Sequence, residues 1–153
     1  MSGEACTAET KMRNIAIGLA LLAAAGTASA ATDPAAWVRR ILAEYDSILT
    51  RQGWAPLGEA RPGVLASGKE ARLDFALAPG TYRFVVLCES ACGAGEVELL
   101  DSAGARVGEP GVLVEMPKIE AAPAAAGTYS LRVAMTDCAV AECAWSARLY
   151  ARR

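Results

Sequence analysis

The chain has 153 residues, room for one domain, and carries 15 Lys and Arg against 17 Asp and Glu with no histidine. A net charge of −2 offers no basic face for nucleic acid or an anionic membrane. The absence of histidine withdraws the commonest general base and the commonest metal ligand.

Lys11 and Arg13 precede an apolar run from Ile15 to Ala25, interrupted only by Gly18, and small residues lead to Ala28-Ser29-Ala30. A basic start, a short apolar core and an A-x-A site make residues 1–30 an expected secretory signal peptide, cleaved after Ala30. The run falls well short of the ~20 apolar residues of a spanning helix, so no stable membrane insertion is expected after cleavage. Ser2 to Thr10 hold Glu4 and Glu9 and no base, the wrong character for the start of a signal, so translation is expected to begin at Met12. The mature chain then loses Glu4, Glu9, Lys11 and Arg13 together and keeps its charge of −2. It also loses Cys6, leaving Cys88, Cys92, Cys138 and Cys143. An even set of cysteines in an exported chain predicts disulfides and a periplasmic or secreted location.

Residues 31–53 predict one amphipathic helix. Asp33 is a favoured N-cap and Pro34 costs no hydrogen bond at the first helical position. Trp37, Val38, Ile41, Leu42, Tyr45, Ile48 and Leu49 recur at helical steps, with Arg39, Arg40, Glu44 and Asp46 on the other side. The preferred reading docks this stripe on the protein's own sheet, because the polar side mixes both signs of charge. Residues 54–69, rich in Gly and Pro, read as a connector with at most one short strand near Val64-Leu65.

From residue 70 to 153 the pattern changes to period two. Glu70 to Leu77 alternates as a half-buried strand. Tyr82, Phe84, Val86 and Cys88 share one face of the next, and Val85 and Leu87 make its other face apolar too, so this strand is expected to be central and covered on both sides. Further strands are expected at Glu96–Leu100, at 111–116 up to Pro117, from Gly127 and from Ala144 to Ala151. Residues 121–127, rich in Ala and Pro, read as a surface connection. Gly80-Thr81-Tyr82 recurs as Gly127-Thr128-Tyr129, and each copy runs to a close pair of cysteines, as in a duplicated half-sandwich. About six or seven short strands between turn signals predict a mainly β chain, an antiparallel, jelly-roll-like β sandwich with one N-terminal helix.

Four cysteines allow three connectivities. Local pairing, Cys88 with Cys92 and Cys138 with Cys143, would clamp two loop tips and is preferred; cross-pairing would tie the two repeated strands together. Loops 89–95 and 137–144, with Glu89, Ser90 and Glu142 as candidate contacts, are the expected ligand surfaces. Glu96 and Glu98 share a strand face near Asp101, a weak candidate for calcium, though alternating acids are also what a solvated strand face shows. No nucleophile elbow, phosphate loop or H-E-x-x-H pattern occurs, so an enzyme is not expected. Among the aromatics only Trp54 and Tyr150 are expected to be free for exposure.

The runs Leu77-Ala78-Pro79-Gly80-Thr81-Tyr82-Arg83-Phe84 and Gly127-Thr128-Tyr129-Ser130-Leu131-Arg132-Val133 resemble the turn-Gly-x-Tyr strand of bacterial pre-peptidase C-terminal domains. The strand and turn Glu96 to Gly104 are similar to that family's acidic-hydrophobic strand, although the family more often has aspartates where Glu96 and Glu98 stand. The resemblance spans about Arg72 to Ala151 and leaves the helix aside. It implies a noncatalytic accessory or binding sandwich, and the expected ligand is an envelope or extracellular protein or glycan. The alternative is an inhibitory or structural partner module acting through the helix. Expression from the native gene should yield an intact mass matching a chain that begins at Ala31, and a precursor that begins at Met12; a precursor mass that includes Ser2 to Lys11 refutes the start assignment.

Overall fold

The computed structural model describes residues 33–153. The expected leader, residues 1–30 with its start at Met12, lies outside the described residues. The helix α1, Pro34–Arg51, begins where its cap predicts: Ala35 N–H donates to Asp33 Oδ1 at 3.0 Å, with Pro34 in the first turn. It stops at Gly53, whose φ of +83° is the left-handed geometry that glycine adopts without a Cβ penalty.

Nine strands follow: β1 (Trp54–Pro56), β2 (Arg61–Leu65), β3 (Lys69–Leu77), β4 (Tyr82–Cys88), β5 (Cys92–Leu100), β6 (Gly111–Val112), β7 (Lys118–Ala121), β8 (Gly127–Cys138) and β9 (Cys143–Arg152). All pairings are antiparallel. One sheet has the order β1-β9-β4-β7, with β2 also on β9; the other has the order β3-β8-β5-β6. The pairs β2·β9, β3·β8, β4·β7 and β5·β6 are those of one long hairpin, and rolling it up sets β4 beside β9 and β5 beside β8. This is the jelly roll, a double sheet whose facing sides form the core, the edge strand β3 adding buried Leu77 and partly buried Ala71, Leu73 and Phe75.

Period-two alternation decides which side chains meet between the sheets. Phe84 and Val86 of β4, Val97 and Leu99 of β5, Leu131 and Val133 of β8 and Trp145 and Leu149 of β9 form this core. Phe84 meets Phe75 of β3 edge-on, centroids 5.2 Å apart. The outer face of the first sheet is apolar as well: Val85, Leu87, Tyr150 and Trp54 receive Val38, Leu42 and Leu49 of α1. The helix stripe, apart from the exposed Ile48, is therefore spent on its own sheet, and β4 is covered on both sides. The polar groups in this layer are partnered in part: Ser146 Oγ is buried there without a hydrogen bond, whereas the Tyr150 hydroxyl has one. Tyr150 OH donates to Asp46 Oδ1 at 2.6 Å, and burial first, then that hydrogen bond, pushes the phenol pKa upward. Arg148 Nε lies 3.1 Å from the same oxygen, near enough for charge pairing but without hydrogen-bond alignment.

Several sequence-based expectations require correction. Residues 54–69 are not a connector, because β1 and β2 both pair with β9. Pro56 and Pro62 disguise them; both strands sit at the sheet edge, where a missing N–H costs no ladder bond. The stretch 111–116 is not one strand: it pairs only at Gly111–Val112, then makes a 3₁₀ turn at Leu113–Glu115 and reaches Met116 at φ +51°. The turn drops Leu113 into the core and leaves Val112 and Val114 exposed. Pro117 does not end the sheet, since β7 follows it directly and alternates exposed Lys118 and Glu120 with buried Ile119 and Ala121. Trp54 and Tyr150 are not surface aromatics; they are 2% and 0% exposed under α1.

Gly63 of β2 lies opposite Trp145, and a Cβ there would stand 2.6 Å from the indole ring. Gly63→Ala should therefore destabilise the protein by about 1–3 kcal/mol through overpacking, measured by denaturant unfolding. An unstructured connector at this position would tolerate the same change with no loss.

A disulfide-clamped end with an adjoining cleft

Cys88 ends β4 in the first sheet and Cys92 begins β5 in the second; Cys138 ends β8 in the second and Cys143 begins β9 in the first. The pairing is local, Cys88–Cys92 and Cys138–Cys143, with Cα separations of 6.2 and 5.9 Å. Each disulfide is thus a tie between sheets at the same end of the sandwich. The loops it closes, 89–91 and 139–142, are shorter than the expected 89–95 and 137–144, because β5 and β8 extend to the cysteines themselves.

The two loops are bound to each other and to the sheets. Glu89 N–H donates to the Ala144 carbonyl at 3.0 Å, and the Glu89 carboxylate accepts from Ala144 N–H at 2.7 Å. Ala139 N–H donates to the Ala91 carbonyl at 2.9 Å. Ser67 Oγ accepts from Cys138 N–H at 2.8 Å and continues the β3 side of the ladder beyond the strand's own end. Glu89 therefore has a structural task, whereas Ser90 is exposed.

Beside the first loop lies an open cleft of about 330 Å³, lined by Pro34, Trp37, Glu89 and Ser90. Two of the three candidate loop residues are brought together here. Glu142 is exposed on the second loop with Val140, and neither lines this cleft. Pro34 and Trp37 were not legible as site residues. Trp37 reads as one more member of the helix stripe, and only its place at the stripe's first turn distinguishes it.

The acidic candidates do not converge. Glu98 is buried between two guanidinium groups: Arg132 Nη1 donates to its Oε2 at 2.8 Å, and Arg106 Nη2 donates to its Oε1. Asp101 accepts from the N–H groups of Ala103 and Ala105, both at 2.9 Å, and so shapes its own turn. Glu96 is exposed. Among the described residues no three His, Cys, Asp or Glu side chains are placed to share a metal ion. The calcium reading is thus corrected, because both Glu98 oxygens are already neutralised. The Arg132 hydrogen bond foremost, with Arg106 assisting against the opposing effect of burial, holds the Glu98 carboxyl below the usual glutamate range. Glu70, bonded to Arg132 Nε at 2.7 Å, is lowered in the same way. Trp54, the other expected surface aromatic, is covered by two cations, Arg83 at 4.2 Å and Arg152 at 5.2 Å from its ring.

Fold and clamped end together define an antiparallel jelly-roll β sandwich with two sheet-to-sheet disulfides and one docked helix. No family model and no curated protein matches the chain. No helix among the described residues is long and apolar enough to cross a membrane.

Because folding lowers the Glu98 and Glu70 pKa values, these pairs contribute stability above the ordinary carboxylate range, and the contribution disappears as pH falls through their lower folded values. Glu98→Gln should lower stability at neutral pH by about 1–2 kcal/mol, since the amide keeps one acceptor oxygen where two guanidinium groups each use one, and should flatten the acid limb of the stability curve. Millimolar calcium should leave the Tm of either protein unchanged.

Proposed function

We propose that the chain is a noncatalytic binding module of the cell envelope or exterior, exported to the periplasm or beyond, and that its disulfide-clamped end receives a protein or glycan ligand. The observation that carries this reading is the cleft between Trp37 of α1 and Ser90 of the clamped loop. An aromatic wall, a free hydroxyl and polar backbone at a loop tip make a surface suited to recognition. A loop held at both ends loses less entropy on binding than a mobile one. Two disulfides in a small chain fit an oxidising compartment, in keeping with the signal-like pattern of residues 1–30. The likeness of the Gly-Thr-Tyr strands to pre-peptidase C-terminal domains supports an accessory role.

The alternative, a partner module acting through the helix, draws on the polar side of α1 and on the exposed Ile48. Its apolar residues Val38, Leu42 and Leu49 are buried against β4 and β9, so Arg39, Arg40, Glu44 and Ile48 would have to supply the contact.

Ligands found by screening glycans and envelope proteins against the oxidised chain separate the two readings. Ser90→Trp fills the cleft from an exposed position and should weaken binding by about tenfold or more with little change in Tm. Arg39→Glu/Arg40→Glu should leave that binding intact. The reverse pattern would transfer the function to the helix.

A further inference from the structure

The register of β5 and β8 places Cys92 of one disulfide directly opposite Cys138 of the other. The bond from Ala139 N–H to the Ala91 carbonyl, 2.9 Å, flanks this pair instead of joining it. Cys138 N–H points away from β5, to Ser67 Oγ at 2.8 Å. Cys92 and Cys138 are therefore a non-hydrogen-bonded antiparallel pair at the end of the ladder, next to the register shift between Cys92 and Ala94; in a regular pair of this narrow kind the Cα atoms stand about 4.5 Å apart with side chains on the same face. A disulfide spans Cα separations of about 4.4–6.8 Å. Both side chains turn into the same core.

We propose that the four cysteines form one exchangeable cluster, in which Cys92 takes Cys138 as its partner once Cys88–Cys92 is opened. An external dithiol supplies the first step: it is oxidised to its own disulfide, and its two electrons and two protons pass to Cys88 and Cys92. Cys88 and Cys92 are each 8% exposed and Cys138 9%, whereas Cys143 is fully buried, so the first disulfide presents both of its cysteines to an external dithiol and the second presents only Cys138. In the second step the Cys92 thiolate attacks Sγ of Cys138. The Cys92–Cys138 bond forms, the Cys138–Cys143 bond breaks, and Cys143 leaves as a thiolate that takes up the proton Cys92 gave away. No further electrons are needed. The product has one disulfide inside the second sheet and none between sheets, so loops 89–91 and 139–142 lose their clamps together. A two-electron reduction at the surface thereby releases both loops, where independent disulfides would release one. This chemistry concerns the cysteines alone and holds whatever the cleft binds.

The first test uses the full chain carrying Cys88→Ser, equilibrated in a glutathione buffer, acid-quenched, alkylated and mapped without reduction, with Cys6 scored separately. The expected result is two populations. One retains Cys138–Cys143 with Cys92 alkylated; the other, about a tenth of the molecules or more, carries Cys92–Cys138 with Cys143 alkylated. Alkylation at Cys92 in every folded molecule overturns the proposal. The second test needs no substitution: the wild-type chain is treated with limiting dithiol and its one-disulfide species are mapped in the same way. A Cys92–Cys138 peptide is expected among them. One-disulfide species that contain only Cys88–Cys92 or Cys138–Cys143 overturn the proposal, also where the variant fails to fold.

Discussion

The structure depends on one strand being buried on both faces. β4 sends Phe84 and Val86 between the sheets and Val85 and Leu87 toward the helix, all at 7% exposure or less. A solitary sandwich would leave Val85 and Leu87 in water. Fully burying one such side chain is worth about 1.5–3 kcal/mol, so the outer face of β4 both requires a cover and supplies the energy to hold it. α1 is that cover, and its stripe of Val38, Leu42 and Leu49 matches the need. The helix is a third layer demanded by the sheet's own sequence, and the cleft exists because the helix begins beside the first disulfide loop.

The repeated Gly-Thr-Tyr strands occupy equivalent places. β4 lies between β9 and β7, and β8 lies between β3 and β5, so each copy is flanked by strands that accompany the other copy in the sequence. Each copy crosses to the opposite sheet through a disulfide loop. The likeness stops at the outer faces. Where β4 shows Val85 and Leu87, β8 shows Ser130, Arg132 and Ala134, and Arg132 joins Glu70 and Glu98 across three strands. Two backbones of the same design thus serve opposite environments, one under a helix and one facing solvent, and these five side chains carry the contrast.

Much of this was legible in the sequence because it is written in periodicity. The alternation of β3, β4, β8 and β9, the helix stripe with its Asp33-Pro34 start, and the double cover of β4 all follow from side-chain direction alone. The misread elements share another trait: their structure is supplied by a neighbour. β1 and β2 are short and carry prolines, and they are strands only because β9 is beside them. β7 hides behind Pro117, although its own alternation of Lys118, Ile119, Glu120 and Ala121 is regular. At the candidate site, the cysteine loops and Ser90 could be read, whereas the task of Glu89 could not, because its partner Ala144 is distant in sequence. Glu98 resembled a ligand for the same reason: the arginines that neutralise it come from a turn and from a neighbouring strand.

β9 is the last of the nine strands in chain order, yet β1, β2 and β4 all pair with it. The first sheet therefore has no hub until β9 has been made and delivered. Until then three strands remain with open edges, β4 among them with both faces apolar, and the stapling cysteine Cys143 is missing. Folding must wait for nearly the whole domain, and the pairings that complete it span most of its length, which makes assembly slow. During that interval the chain is most open to aggregation through its unpaired edges. The second sheet, β3-β8-β5-β6, needs no β9, so the late-arriving strand governs the closure of the first sheet in particular.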